Sequence, residues 1–568
     1  MSNRPNILFI VADDLGYSDL GAFGGEIRTP NLDKLAYHGF RMTNFHTASA
    51  CSPTRAMLFS GTDNHVTGLG QLDEWVQRNE AAYRGQPGYE GYLNEKIAAL
   101  PEILSDEGYH TMLSGKWHLG LKPGQTPHAR GFQKSFSLLT GAGMHFKYFP
   151  HLADGTPAIR FMPPIYVEDD KFLDPETLPD DFYSSDMFTS RLLEFLDDAK
   201  ENIPDKPWFA SLTFTAPHWP IQAPREVIDR YRGMYDGGPE ELRQSRLARM
   251  RDMSLIAEGV EAHPVIAPLE AEWEAKSEEE RKCSSRTMEV YAAMVEKLDE
   301  NVGRVVQYLE KTGQMENTFI FFCSDNGADG MLLEALPLFS VHVQPIIDRF
   351  YDNSLDNIGN KTSFKWYGPR WGQAATAPSR MYKSHISEGG IKCPAIVHYP
   401  KVLQQPSPEC CSDAMVTVKD LMPTVLELAG ISHPGTSFRG RPVFPCTGAS
   451  GVSHLQGKTN RVHSEDTPLG FELFAQRALI LGDFKIVFVP KPVGPGHWQL
   501  YNLKNDPGEV HDLSLTADGG NKEKLQNMVR LWADYVSEFG VVDSTSLGDW
   551  EEYSEKVGFK DNTENSNL

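Results

Sequence analysis

The chain has 568 residues, of which 40% are hydrophobic and 23% charged, with a formal net charge of −23. That length exceeds the roughly 100–200 residues of one domain and supplies apolar material for a sizeable core. The acidic balance argues against nucleic acid as a partner, since phosphate binding needs basic surface, and seven sparse cysteines do not make a disulfide framework.

The first element is a strand at Ile7–Val11 (ILFIV), which ends in Asp13-Asp14. The apolar run from Ile7 to Ala12 is short for a secretory signal, and no run approaches the roughly 18 apolar residues of a membrane span. The expectation is a cytoplasmic protein with no membrane partner. Ser52 followed by Pro53 reads as a helix start, continued by AMLFSG. A second strand, Phe209–Phe214, runs into Thr215-Ala-Pro-His218, and residues 221–285 read as a helical insertion. From Arg286 to Lys311, Tyr291, Met294, Val295, Leu298, Val302, Val305, Val306 and Leu309 share one helical face. A third strand, Phe319–Phe322, leads into Cys323-Ser-Asp325-Asn326-Gly327, and Pro394–Val397 is a fourth.

Around 436–460 the chain turns rich in Gly, Pro and Ser, a candidate boundary between a catalytic α/β domain (1–450) and a small α+β domain (451–555). In the latter, Ala478–Val489 and Trp498–Leu503 read as strands and about Lys522–Phe539 as a helix, with residues 556–568 expected to be disordered. Strands separated by helices predict an α/β fold. The large sheet is expected to be mostly parallel or mixed and flanked by helices, with a smaller C-terminal antiparallel sheet plus helix.

Ligands bind at the carboxyl ends of strands in such sheets. Asp, Asn and Gly after one strand are ordinary turn residues; three strand ends bringing Asp13, Asp14, His218, Asp325 and Asn326 to one edge favour a site. Asp13, Asp14, Asp325 and Asn326 offer only oxygen, which suits a hard divalent cation, calcium more readily than magnesium. If the substrate is an anion, positive charge must be gathered locally against the acidic whole. Cys51 lies at a helix N-terminus, where the dipole favours anions, with Arg55 one turn on. By itself it is either an inert buried cysteine or a thiolate nucleophile. A cysteine phosphatase would want the arginine six residues on, where Met57 stands.

The run Cys51-Ser-Pro53-Thr-Arg55, followed by Ser60-Gly61, resembles the modification motif of type I sulfatases. The run Gly108-Tyr-His-Thr-Met-Leu-Ser-Gly-Lys116-Trp-His118-Leu-Gly120 is similar to that family's second pattern. The resemblance extends from Pro5 to about Leu513, and stretches such as PHARGF, APHWP, APSRMYK and DPGE look like bacterial arylsulfatases in particular. It implies a fold of the alkaline phosphatase superfamily. It also implies a formylglycine (3-oxoalanine) made from Cys51 by a formylglycine-generating enzyme acting as a transient partner. In the family, one hydroxyl of the hydrated aldehyde attacks sulfur and expels the alcohol, and the second then allows sulfate to leave. Carried over, Asp13, Asp14, Asp325 and Asn326 hold calcium, with Asp325 also the base toward the attacking hydroxyl. Arg55 orients the diol, and Lys116 and Lys383 bind sulfate oxygens. His118 takes the proton that triggers sulfate release, while His218, with Lys383, hydrogen-bonds the bridging oxygen and donates to the leaving group. Met144, His145 and Phe146 stand where the family varies its pocket for a small-molecule sulfate ester. The alternatives are a phosphonate or phosphate ester hydrolase of the same superfamily and an inactive binding homologue.

Overall fold

The computed structural model describes residues 4–332, 343–403, 411–491 and 493–542. The predicted tail at 556–568 lies outside the described residues. One mixed sheet contains β1 (Asn6–Ala12), β2 (Phe40–His46), β3 (His110–Lys116), β4 (Lys134–Leu138), β5 (Tyr166–Glu168), β6 (Lys171–Leu173), β7 (Trp208–Thr213), β8 (Thr318–Ser324), β9 (Lys392–His398), β10 (Cys411–Ser412) and β11 (Val416–Thr417). Its order is β10-β2-β9-β8-β1-β7-β3-β4-β5-β6, with β11 also beside β2. The centre, β8-β1-β7-β3-β4, is parallel. β9 runs antiparallel to both β8 and β2, and β5 and β6 close the far edge antiparallel.

The unbroken apolar run of β1 follows from burial on both faces. Leu8 and Ile10 face a core shared with helices Ser184–Asn202 and Glu278–Lys311. Ile7, Phe9 and Val11 face the opposite core, shared with helices Cys51–Ser60, Leu100–Asp106 and Leu421–Ala429. The long helix begins at Glu278, upstream of the predicted Arg286. There Ser277 Oγ accepts the Glu280 N–H at 3.2 Å while the Glu280 carboxylate accepts the Ser277 N–H at 2.7 Å, a capping box. Residues 221–285 hold helices Arg225–Ile228 and Gly238–Asp252 and then a largely irregular stretch up to Ser277.

A short hairpin, β12 (Ser437–Phe438) with β13 (Arg441–Pro442), precedes the second sheet. That sheet is β14 (Leu469–Leu473), β15 (Gln476–Leu481), β16 (Phe484–Phe488) and β17 (Trp498–Asn502), antiparallel in chain order. Helix Gly519–Phe539 packs on it through Met528, Trp532 and Tyr535. The predicted strand Ala478–Val489 is in fact a hairpin, because Gly482 adopts φ +57° and turns the chain with Asp483.

The second sheet is tied to the segment after the Cys51–Ser60 helix through buried charge. His65 donates from one ring nitrogen to Asp63 (2.7 Å) and from the other to Glu472 of β14 (2.9 Å). Gln71 also donates to Glu472, and Tyr535 donates to Asp63 at 2.9 Å. Burial opposes a charge on His65, but the two carboxylates prevail and lift it to about 9, well above its ordinary 6.5.

Candidate active site

Pairing continues past the ends of the central strands and draws their loops together. The Asp13 N–H donates to the Ala216 carbonyl (3.0 Å) and the Asp325 N–H to the Ala12 carbonyl (3.1 Å). Asp14 takes a left-handed backbone at φ 69°. Asp13, Asp14, Asp325 and Asn326 are thereby side by side, each at most 1% exposed.

The Cys51–Ser60 helix enters this edge with its N-terminus. It starts at Cys51 itself, with extended Ala50 at the cap, so the predicted start at Pro53 falls inside its first turn. Every residue of the helix is buried. Cys51 Sγ lies 3.3 Å from Asp13 Oδ1 and 3.9 Å from Asp14 Oδ1. One turn on, Arg55 places Nε at 2.9 Å and Nη2 at 2.8 Å from Asp325 Oδ2, and donates from Nη1 to the Lys116 carbonyl at 2.8 Å. Burial, reinforced by Asp325, pushes the Cys51 thiol well above its ordinary pKa, so an unmodified thiolate is disfavoured here.

Lys116, the last residue of β3, places its ammonium 2.7 Å from both Asp13 oxygens. Lys383 donates to Asp14 Oδ2 at 2.8 Å, and His218 Nε2 is 3.4 Å from that same oxygen. His218 Nδ1 is 2.6 Å from the Trp219 carbonyl; a carbonyl only accepts, so Nδ1 carries the proton and Nε2 faces the cluster. His118 stands at φ 58° with its ring packed against Gly141, where an added Cβ would lie 2.5 Å from Cε1. Burial, and then the charges of Lys116, Arg55 and Lys383, push His118 well below its ordinary pKa. Burial followed by Lys383 and Lys116 does the same to His218.

The site thus gathers three cations, Arg55, Lys116 and Lys383, against three carboxylates, Asp325, Asp13 and Asp14, so their formal charges balance and a divalent cation among them would make the site positive toward an anion. Burial raises Asp13 to about 7, with Asp325 and Asp14 adding to the effect and Lys116 opposing it. Such crowding of carboxylates suits a cation among them. So does Asn326, whose Oδ1 is buried without a hydrogen-bond partner while its NH2 donates to Asp14 Oδ1 at 2.6 Å. The donors that converge within 4.8 Å are, however, Asp13, Asp14, Cys51 and His218. Asp325 is turned toward Arg55, and its Oδ1 accepts the Asp14 N–H at 3.3 Å.

Other residues at the site were not singled out by the sequence. Asp329 lies 3.4 Å from the Lys383 ammonium and accepts the Trp219 indole N–H at 2.8 Å. Glu74, with its side chain 46% exposed, lies 4.0 Å from His118 Nε2. Gln476 of β15 clasps the Lys383 loop, donating to the Ser384 carbonyl (2.9 Å) and accepting the Ile386 N–H (3.3 Å). Only a shared loop, SDNGADG, could have suggested Asp329; the other two come from distant segments. Of the pocket candidates, Met144 packs in the apolar cluster around Trp219 and Phe146 packs against Tyr183 at 5.0 Å. His145 is fully buried and supports the site from behind, with Nε2 3.0 Å from the His218 carbonyl and Nδ1 2.8 Å from Ser184 Oγ.

A buried cluster of carboxylates and fixed cations at the carboxyl edge of a mixed sheet, with Cys51 on a helix N-terminus, defines an enzyme for anionic esters. The chain belongs to the sulfatase family, whose model matches residues 5–431, and is an enzyme of sulfate ester hydrolysis. It is 50% identical over 542 residues to an uncharacterised sulfatase of Schizosaccharomyces pombe, covering 95% of each chain. It is 36% identical over 453 residues to the arylsulfatase of Klebsiella aerogenes, covering 79% of this chain and 91% of that one. Among solved structures it is similar to Ps i-CgsB (TM-score 0.66, 23% identity, 98% of both chains). It is also similar to the PsFucS1 sulfatase from Pseudoalteromonas sp. (TM-score 0.60, 20% identity, 96% of this chain and 92% of that one). At those identities the two structures speak to the fold alone.

Proposed function

We propose that this sulfatase is of arylsulfatase type, with formylglycine at position 51 and calcium held by Asp13, Asp14, Asp325 and Asn326. The observation that carries the reading is the placement of Cys51 Sγ 3.3 Å from Asp13, on a helix whose Arg55 grips Asp325. The similarity to the Klebsiella aerogenes arylsulfatase supports the aryl assignment. Formylglycine, when hydrated, supplies a nucleophilic hydroxyl and a second hydroxyl whose deprotonation frees sulfate. A bound calcium ion supplies positive charge opposite the oxygens of the ester. The oxygen set is preferred to one including Cys51, because a hard cation such as calcium takes oxygen ligands rather than sulfur.

The chain's own residues do the rest. Arg55 fixes Asp325, which is the base toward the attacking hydroxyl. Lys116 and Lys383 are point charges for the sulfate oxygens. His118, kept neutral by burial and by its cationic neighbours, is ready to accept a proton. His218 holds its proton on Nδ1 against the Trp219 carbonyl, so its neutral form offers Nε2 only as an acceptor. Proton donation to the leaving group therefore falls to Lys383. Burial opposes its charge, but the carboxylates of Asp14 and Asp329 raise its pKa above the ordinary lysine value, so the ammonium holds its proton until the ester oxygen takes it. The phosphate reading is disfavoured by the single cluster of metal-competent donors among the described residues.

The test compares 4-nitrophenyl sulfate and 4-nitrophenyl phosphate on protein co-expressed with a formylglycine-generating enzyme. Mass spectrometry of the Cys51 peptide and elemental analysis accompany it. Faster phosphate turnover, an unmodified thiol in active protein, or activity without a divalent ion would each overturn its part of the reading.

A further inference from the structure

We propose that Asp329 is a positioning residue for the leaving-group side of the site, one carboxylate holding both Lys383 and the His218–Trp219 segment. This rests on the assignment of Lys383 to the leaving group made above. Asp329 is 5% exposed, on the loop that follows β8. Its Oδ2 accepts the Trp219 indole N–H at 2.8 Å and faces the Lys383 ammonium at 3.4 Å. Its Oδ1 accepts the Met331 N–H at 2.9 Å, which fixes the carboxylate plane.

Each partner is held a second time. Trp219 receives the His218 Nδ1 proton on its carbonyl at 2.6 Å, and its ring lies 4.5 Å from the His218 ring. Pinning the indole therefore pins the imidazole. Lys383 is tied to the same loop by its backbone N–H, which donates to the Ala328 carbonyl at 3.0 Å. Its ammonium has two carboxylates in reach, Asp14 at 2.8 Å and Asp329 at 3.4 Å. A hard cation bound by Asp14 competes for that oxygen, and Asp329 is then the carboxylate left to orient the ammonium. A residue that only closed the loop would need Oδ1 alone. The second oxygen, shared between an indole and an ammonium from different segments, is what a loop-closing role does not require.

The test uses Asp329→Asn and Asp329→Ala in the modified, metal-loaded enzyme, with a series of substituted phenyl sulfates from nitrophenyl to unsubstituted phenyl. The expected loss in kcat/KM is small for the best leaving group and on the order of 100-fold for the poorest, so the dependence on leaving-group pKa steepens. Asp329→Glu, which keeps the charge, recovers part of that slope. Loss of equal size across the series, or no loss, would overturn the proposal. Asp329→Asn keeps an acceptor for Trp219 and guards against a folding failure of the alanine variant. If the wild type hydrolyses alkyl but not aryl sulfates, the aryl reading fails, and the same wild-type-to-variant comparison is made on alkyl esters of graded leaving groups.

Discussion

Replacing His65 with glutamine tests the buried charge that ties β14 to the segment after the Cys51–Ser60 helix. His65 is sandwiched between Asp63 and Glu472, with all three side chains at most 3% exposed. Its pKa is about 9 in the folded protein against an ordinary 6.5. The folded state therefore binds a proton that the unfolded chain releases, and the resulting stabilisation is complete below about pH 6.5 and gone above about pH 9. A shift of that size corresponds to about 3 kcal/mol, within the range for breaking one side of a buried ion pair. His65→Gln keeps one N–H donor but removes the charge, leaving two carboxylates facing each other. The assay is urea unfolding followed by tryptophan fluorescence, to which Trp498 and Trp532 in the C-terminal core contribute. Wild type should exceed the variant by about 3 kcal/mol at pH 6, and the gap should close as pH rises to 9.5. Parallel pH profiles for the two proteins would refute the assignment of a charged His65.

Gly141→Ala puts a methyl 2.5 Å from His118 Cε1; it should lower kcat at least tenfold while metal content stays unchanged, as read by elemental analysis. Gln476→Ala removes both side-chain hydrogen bonds to the Lys383 loop, costing about 1–3 kcal/mol in unfolding free energy and reducing kcat more than it raises KM. Cys51→Ala should abolish turnover while leaving the circular dichroism spectrum and the melting temperature close to wild type, since it changes one small side chain; residual activity would remove Cys51 from the mechanism.

Much of the architecture is legible in the sequence because the central strands are buried on both faces. That burial writes ILFIV and FIFF as unbroken apolar runs and FASLTF as one interrupted by the buried Ser211 and Thr213, and their polar exits mark the site edge. What the sequence hides is set by single backbone interactions or by distance. The Cys51 helix starts on Ala50, which has no capping side chain to announce it. The long helix is extended by the Ser277–Glu280 capping box inside a stretch, 221–285, that reads as a separate helical insertion. The strand pattern of 478–489 masks its own turn signal, Gly482-Asp483, where the positive φ of Gly482 marks the hairpin. Lys116 and His118 are found through a contiguous motif, but nothing local distinguishes Gln476, whose contact with Ser384 spans 92 residues.

The depth of the Cys51 helix also sets a timetable. Cys51 is 3% exposed, and every residue from Cys51 to Ser60 is buried. A modifying protein that must grasp this segment cannot do so in the finished fold without prying open the core it shares with β1 and β8. On the proposed reading, in which position 51 is formylglycine, oxidation belongs to the interval between synthesis and closure of the sheet. A molecule that folded before modification would be locked out, and the active fraction of a preparation would record a race between two rates rather than an equilibrium.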